Sequence, residues 1–133
     1  MFSEFEDYLR QGFSISFWSN EGISEACGIL NKFPVEDWGA LAKRWRDNTD
    51  IWKVRCAETL DSQPSQIVLE ILLDMLEEDD EKVVVAAADS LRSLSQGELK
   101  IPPATLERIV ILRDRSGVAV KAVLSDFIKR ITT

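Results

Sequence analysis

The stretch WKVRCAETL at residues 52–60 returns thirty-one positions later as VVVAAADSL at 83–91. In register, Ala57 meets Ala88, Glu58 meets Asp89, Thr59 meets Ser90 and Leu60 meets Leu91, with Trp52/Val83 and Cys56/Ala87 as apolar equivalents. A weaker third copy, AVKAVLSDF at 119–127, sets Ala119, Val123 and Phe127 in the places of Val83, Ala87 and Leu91. Apolar residues at i, i+4 and i+8 share one face of an α-helix, so each copy predicts a helix with one buried stripe. Alanine at 57, 86, 87 and 88 would let such helices approach closely.

A polar break precedes each copy: RDNTD at 46–50, EEDDE at 77–81 and RDRSG at 113–117. Asp and Ser there suit the capping of a following helix, because their oxygens accept from its orphaned N–H groups and negative charge opposes its dipole. Before each break lies another amphipathic run, VEDWGALAKRW at 35–45, PSQIVLEILLDML at 64–76 and PPATLERIVIL at 102–112, the last two opening with proline. Proline suits a helix's first turn. The unit is therefore helix, turn, helix. Such a pair cannot bury its apolar face alone, and stacked pairs form a solenoid whose core runs between neighbours.

The pairs fall at 35–62, 63–97 and 101–131 within one domain, 1–133. Residues 1–34 are less regular. SEFEDYLRQ at 3–11 and SNEGISEACGILNKF at 19–33 read as helices, joined by GFSISFW at 12–18, which is expected to be extended. Ile23, Ala26, Cys27, Leu30 and Phe33 form an apolar stripe, so this segment is expected to cap the first pair.

DIWKVRCAETL at 50–60 and DEKVVVAAADSL at 80–91 resemble HEAT and HEAT-like repeats, in which an acidic turn precedes a second helix reading roughly V-R-x-A-A-x-x-A-L. The resemblance covers residues 35–131 and implies an all-α, short right-handed α-solenoid. The chain departs from the pattern in placing Trp52 where a small aliphatic is usual and in lacking the arginine in its second copy.

The net charge of −7 divides as −4 over residues 1–31, 0 over 32–61, −6 over 62–100 and +3 over 101–133. A general nucleic-acid binder would look different. The absence of histidine removes the commonest general base and metal ligand. No nucleophile elbow, phosphate-cradling glycine loop, dinucleotide fingerprint or Cys-x-x-Cys pair occurs, so no enzymatic activity and no cofactor are expected. LEEDDEK at 76–82 lacks the glycine and terminal glutamate of a calcium loop. Cys27 and Cys56 sit among apolar helical neighbours and read as small buried hydrophobes. The acidic start and the lack of a long apolar run point to a cytoplasmic protein with no membrane partner.

Two surfaces are candidates for a partner. One is the acidic turn Glu77, Glu78, Asp79, Asp80 and Glu81, with Asp47 and Asp50 in the preceding break. The other is the polar side of the second helices, which generally line the concave face of a solenoid: Lys53, Glu58 and Asp61, then Asp89, Arg92 and Ser93, then Asp126, Lys129 and Arg130. Of the four tryptophans, Trp38, Trp45 and Trp52 fall on core stripes. Trp18 is the one expected at the surface, where it would anchor an interface.

These features predict a non-catalytic protein-binding module. A small acidic HEAT-like protein also resembles immunity proteins of bacterial toxin systems of the contact-dependent growth inhibition type. That resemblance implies tight one-to-one occlusion of a basic toxin domain, often a nuclease, by an acidic surface. An adaptor or assembly factor of a cytoplasmic complex is the alternative. A third is a nucleic-acid-binding HEAT-like protein, which only Arg108, Arg113, Arg115, Lys121, Lys129 and Arg130 favour. No small-molecule substrate is evident.

Overall fold

The computed structural model describes residues 1–97 and 99–132, and all regular structure among them is helical. The first helix, α1 (Phe2–Leu9), is followed by α2 (Ile15–Phe17), a π-helical turn (Trp18–Gly22) and α3 (Ile23–Leu30) in one continuous path. The expectation of an extended joint at 12–18 is corrected from Ile15 onward, residues 12–14 lying outside any helix and Ser14 having an extended backbone. Ser14 Oγ accepts from Phe17 N at 3.0 Å and starts a helix at Ile15. Alternation of polar and apolar residues in FSISFW mimics a strand, yet Phe13 and Trp18 pack together instead, their rings stacked at 6.1 Å.

The π-turn has a glycine for a steric reason. A Cβ on Gly22 would stand 2.5 Å from Trp18 Cε3 and 3.2 Å from Cζ3. The ring has little room to retreat, with Phe13 stacked on it and the Arg55 guanidinium 5.5 Å from its centroid. Gly22→Ala is therefore expected to cost about 1–3 kcal/mol by overpacking. Thermal melts and the Trp18 indole N–H resonance would register it, and an unmoved indole signal would refute the close packing.

Six helices follow among the described residues: α4 (Val35–Arg44), α5 (Asp50–Leu60), α6 (Gln66–Met75), α7 (Glu81–Leu94), α8 (Pro103–Arg115) and α9 (Val118–Thr132). Of these, α6 packs against α7 and α8 against α9, whereas the expected pairing of α4 with α5 is not among the main helix contacts. A 3₁₀ turn at Trp45–Asp47 closes α4. Thr49, Ser65 and Asp80 are the N-caps of α5, α6 and α7, accepting from Trp52 N, Val68 N and Val83 N at 3.3, 3.2 and 3.2 Å. Pro64 thus lies just outside α6, whereas Pro103 occupies the first turn of α8 as expected. The third break differs from the capping expectation, because Ser116 Oγ donates to Leu112 O at 2.6 Å and so closes α8.

The helices α3, α5, α7 and α9 lie side by side in that order, and α4 adjoins both α1 and α6. The contact between α5 and α7 is the broadest, and it is close: Ser90 Oγ donates to Ala57 O at 2.5 Å. Of the four alanines expected to allow close approach, Ala57, Ala87 and Ala88 are fully buried and Ala86 is half-buried. The core also holds Trp45, Trp52, Cys56, Leu60, Leu69, Leu72, Val83, Leu91, Leu124 and Phe127. Both cysteines are free, and burial pushes the Cys56 thiol far up, which keeps it inert.

The short α1 is finished by α5. A helix leaves its last four carbonyls without intrahelical partners. Here Arg10 N and Gln11 N take those of Asp7 and Tyr8, while Trp52 Nε1 takes Glu6 O at 3.0 Å and Arg55 Nη1 takes Leu9 O at 2.9 Å. Arg55 also reaches Gln11 O at 2.6 Å and lies 5.3 Å from the Phe13 ring centroid. On the other side, Tyr8 donates its hydroxyl to Glu25 of α3, and burial together with that carboxylate pushes its pKa up to about 12.

Candidate functional site

The face where α5 and α7 meet carries a groove. One hollow of about 430 Å³ is lined by Val54, Glu58, Glu81, Lys82, Val85, Ala86 and Asp89. A second of about 210 Å³ shares Glu58, Ala86 and Asp89 and adds Ile23, Asp61, Ser90 and Ser93. Val54, Val85 and Ala86 make an apolar floor, and Glu58, Asp61, Glu81 and Asp89 stand around it. The repeat explains the arrangement. Glu58 and Asp89 hold equivalent positions of neighbouring helices, so packing α5 against α7 sets them across one trough.

Glu58 and Asp61 are half-buried, and neither makes an ion pair among the described residues. Desolvation raises the pKa of Glu58, against the lowering effects of a hydrogen bond from Trp18 Nε1 at 3.2 Å and of the Arg55 charge. Arg55 itself is committed to main-chain carbonyls. Desolvation likewise raises Asp61, with the Ser93 hydroxyl opposing it. Other covered acids are neutralised: Glu6 by Arg10 and Arg44 at 3.5 and 3.6 Å, Asp74 by Arg46 and Arg108 at 3.2 and 2.8 Å, and Glu78 by Lys53 at 2.5 Å.

Raised carboxyl values mean that the folded chain holds these protons to higher pH than the unfolded chain does. Their contribution to stability is present below the ordinary carboxylate range and is lost as pH rises through the folded values. Glu58→Gln and Asp61→Asn are each expected to raise the melting temperature at pH 7. The gain should shrink as pH falls toward about 4, where the wild-type groups protonate in both states. Melts across that interval test this, and a gain constant with pH would refute it.

The sequence candidates divide among several places. Glu58, Glu81 and Asp89 meet at the groove, and Arg92 turns to Asp89 at 3.1 Å. The acidic turn is largely engaged inside the molecule: Glu77 accepts from Arg108 at 2.9 Å, Glu78 pairs with Lys53, and Asp80 caps α7. Glu77, Asp79 and Glu81 are its exposed members, and of these Glu77 is held by Arg108. Reversing charge without disturbing these internal contacts therefore means changing Asp79 and Glu81. Asp47 lines a separate hollow beside the end of α1, and Asp50 is exposed in the first turn of α5.

Two expectations are overturned. Trp18 is buried, 6% exposed, because the helical path through 15–30 turns its ring onto Phe13, Arg55 and Glu58. Lys53 is 9% exposed, drawn down to Glu78 above the buried ring of Trp45, whose centroid lies 5.7 Å from its Nζ. Val54 and Val85, the floor of the groove, went unmarked in the sequence. Each lies four positions before a rim acid, Glu58 or Asp89, and that spacing was the available signal.

The C-terminal cations are tied to acids at several points. Arg108 meets Glu70, Asp74 and Glu77, Arg113 meets Asp114, and Arg130 meets Asp126. No group of three or more His, Cys, Asp or Glu that could hold a metal ion occurs among the described residues. No helix among them is long and apolar enough to cross a membrane. Compared with protein-family models, with curated proteins and with solved structures, the chain matches none.

Proposed function

We propose that this chain is a non-catalytic protein-binding module, a short right-handed solenoid of HEAT-like helix pairs that holds a basic partner in the manner of an immunity protein neutralising a toxin domain one-to-one. The row α3, α5, α7, α9 supports the solenoid. The observation that carries binding is the pair Glu58 and Asp61: half-buried carboxylates beside a groove, raised by desolvation and without an ion-pair partner among the described residues. Charges kept at a cost to the fold are characteristic of surfaces selected for something other than stability. A partner's lysine or arginine would complete them, and the excess of carboxylates over the lining cation Lys82 would speed its arrival.

The test is affinity capture from the source cell with the tagged chain, followed by mass spectrometry and an activity assay of what is retained. One stoichiometric basic protein whose activity is blocked on binding is the expected result. Several sub-stoichiometric proteins with no activity blocked would replace the inhibitor by an adaptor. Salt-sensitive retention of nucleic acid alone would overturn both.

A further inference from the structure

The groove has a length and a direction. Its lining falls on α7 at Glu81 and Lys82, then Val85 and Ala86, then Asp89, then Ser93, one step per helical turn. On α5 it falls at Val54 and Glu58, and then at Asp61, the residue that caps the helix's C-terminal end. At about 1.5 Å per residue, the run from Glu81 to Ser93 measures about 18 Å, or roughly three turns of helix. Ile23 of α3 lines one end.

We infer that this groove seats a basic amphipathic helix of the partner protein, with apolar residues at i, i+4 and i+7 on Val54, Val85 and Ala86, and with lysine or arginine side chains against Glu58, Asp61 and Asp89. This rests on the binding reading above and deepens it by naming the face and the form of what binds.

Three observations select that occupant. The floor is apolar, so a uniformly cationic tail would leave it uncovered. The rim carries the carboxylates Glu58, Asp61, Glu81 and Asp89 against Lys82, with Arg92 drawn to Asp89, so the balance still disfavours a phosphate backbone. The groove's walls are helices whose main-chain groups are already paired within α5 and α7. An extended segment laid there would find no main-chain partners, whereas a helix closes its own hydrogen bonds and brings only side chains. Finally, the two unpaired rim carboxylates are already oriented by neutral donors, Glu58 by Trp18 Nε1 at 3.2 Å and Asp61 by Ser93. Their charge is left for a cation, and the π-turn with Gly22 is what brings Trp18 to Glu58.

The probe is a synthetic helix of about four turns bearing leucine on one face and lysine on its flanks, titrated into the full ¹⁵N-labelled chain. A peptide of the same composition, scrambled so that no apolar face forms, is the comparison. The expected result is amide shifts at Val54, Glu58, Val85, Ala86 and Asp89, with the amphipathic order binding about tenfold or more tighter than the scrambled one. The double variant Glu58→Gln, Asp89→Lys should weaken the amphipathic peptide by about tenfold or more. Its fold is checked by melting, since Gln still accepts from Trp18 and Asp89 is exposed.

Equal binding of the two peptides, shifts confined to residues 77–81, or no binding would overturn the groove as a helix seat. The two proposals fail separately. A captured cell partner held equally by wild type and by the double variant would refute the groove and leave protein binding standing. A peptide seated as described, with no protein captured from the cell, would refute the neutralising role and leave the groove.

Discussion

Replacing Trp52 with alanine is expected to remove about 3–5 kcal/mol of stability, the range for truncating a buried aromatic side chain. That is a large part of the roughly 5–15 kcal/mol that holds a typical domain folded. The side chain is 1% exposed, its ring meets Phe5 edge-on at 6.1 Å, and its indole N–H holds the Glu6 carbonyl of α1. The substitution therefore opens a cavity between α1 and α5 and orphans a buried acceptor together. Trp52→Phe separates the two contributions: it keeps most of the ring area and loses the donor, for an expected cost of about 1–3 kcal/mol. Urea midpoints measure both. A Trp52→Ala midpoint equal to wild type would mean that α1 does not pack on α5.

A second large effect is expected at Ala87. It is fully buried on α7, the helix that touches α5, α6 and α9 together. Adding even a methylene to a filled core costs about 1–3 kcal/mol, and a tryptophan adds far more volume than that. Ala87→Trp should abolish the cooperative unfolding transition seen by circular dichroism. Its neighbour supplies the contrast. Ala86 is half-buried and lines the groove, so Ala86→Leu should melt near wild type while filling the trough. Equal tolerance at both positions would refute the packing of α7.

The helices α4 to α9 were legible because they rest on local rules. Period predicts α4 to α9 as helices and the polar breaks cap α5 and α7, although the third copy buries Val120, Leu124 and Phe127 rather than a stripe through Ala119 and Val123. The equivalence of Ala57 with Ala88 anticipates the close crossing that Ser90 and the Ala57 carbonyl display. The N-terminal path was not legible, because FSISFW carries a strand's alternation and is decided by contacts with Arg55, some forty positions away. A clue to Trp18 was present: glycine four positions later, the residue that a ring folded along a helix requires. Of the site, Glu58 and Asp89 followed from the repeat. The internal use of Glu77 and Glu78 did not, since Arg108 and Lys53 reach them from α8 and α5, across distances that periodicity cannot span.

The manner in which α1 is finished bears on how the chain is made. Its Glu6 and Leu9 carbonyls are satisfied by Trp52 and Arg55, each forty-six positions downstream. A chain emerging from the ribosome at about 5–20 residues per second exposes α1 seconds before those partners exist. Over that interval Phe2, Phe5 and Leu9 are apolar groups awaiting a core. Helix α1 is thus completed only after α5 has emerged, and nascent-chain lengths that stop short of Arg55 leave it without its closing contacts.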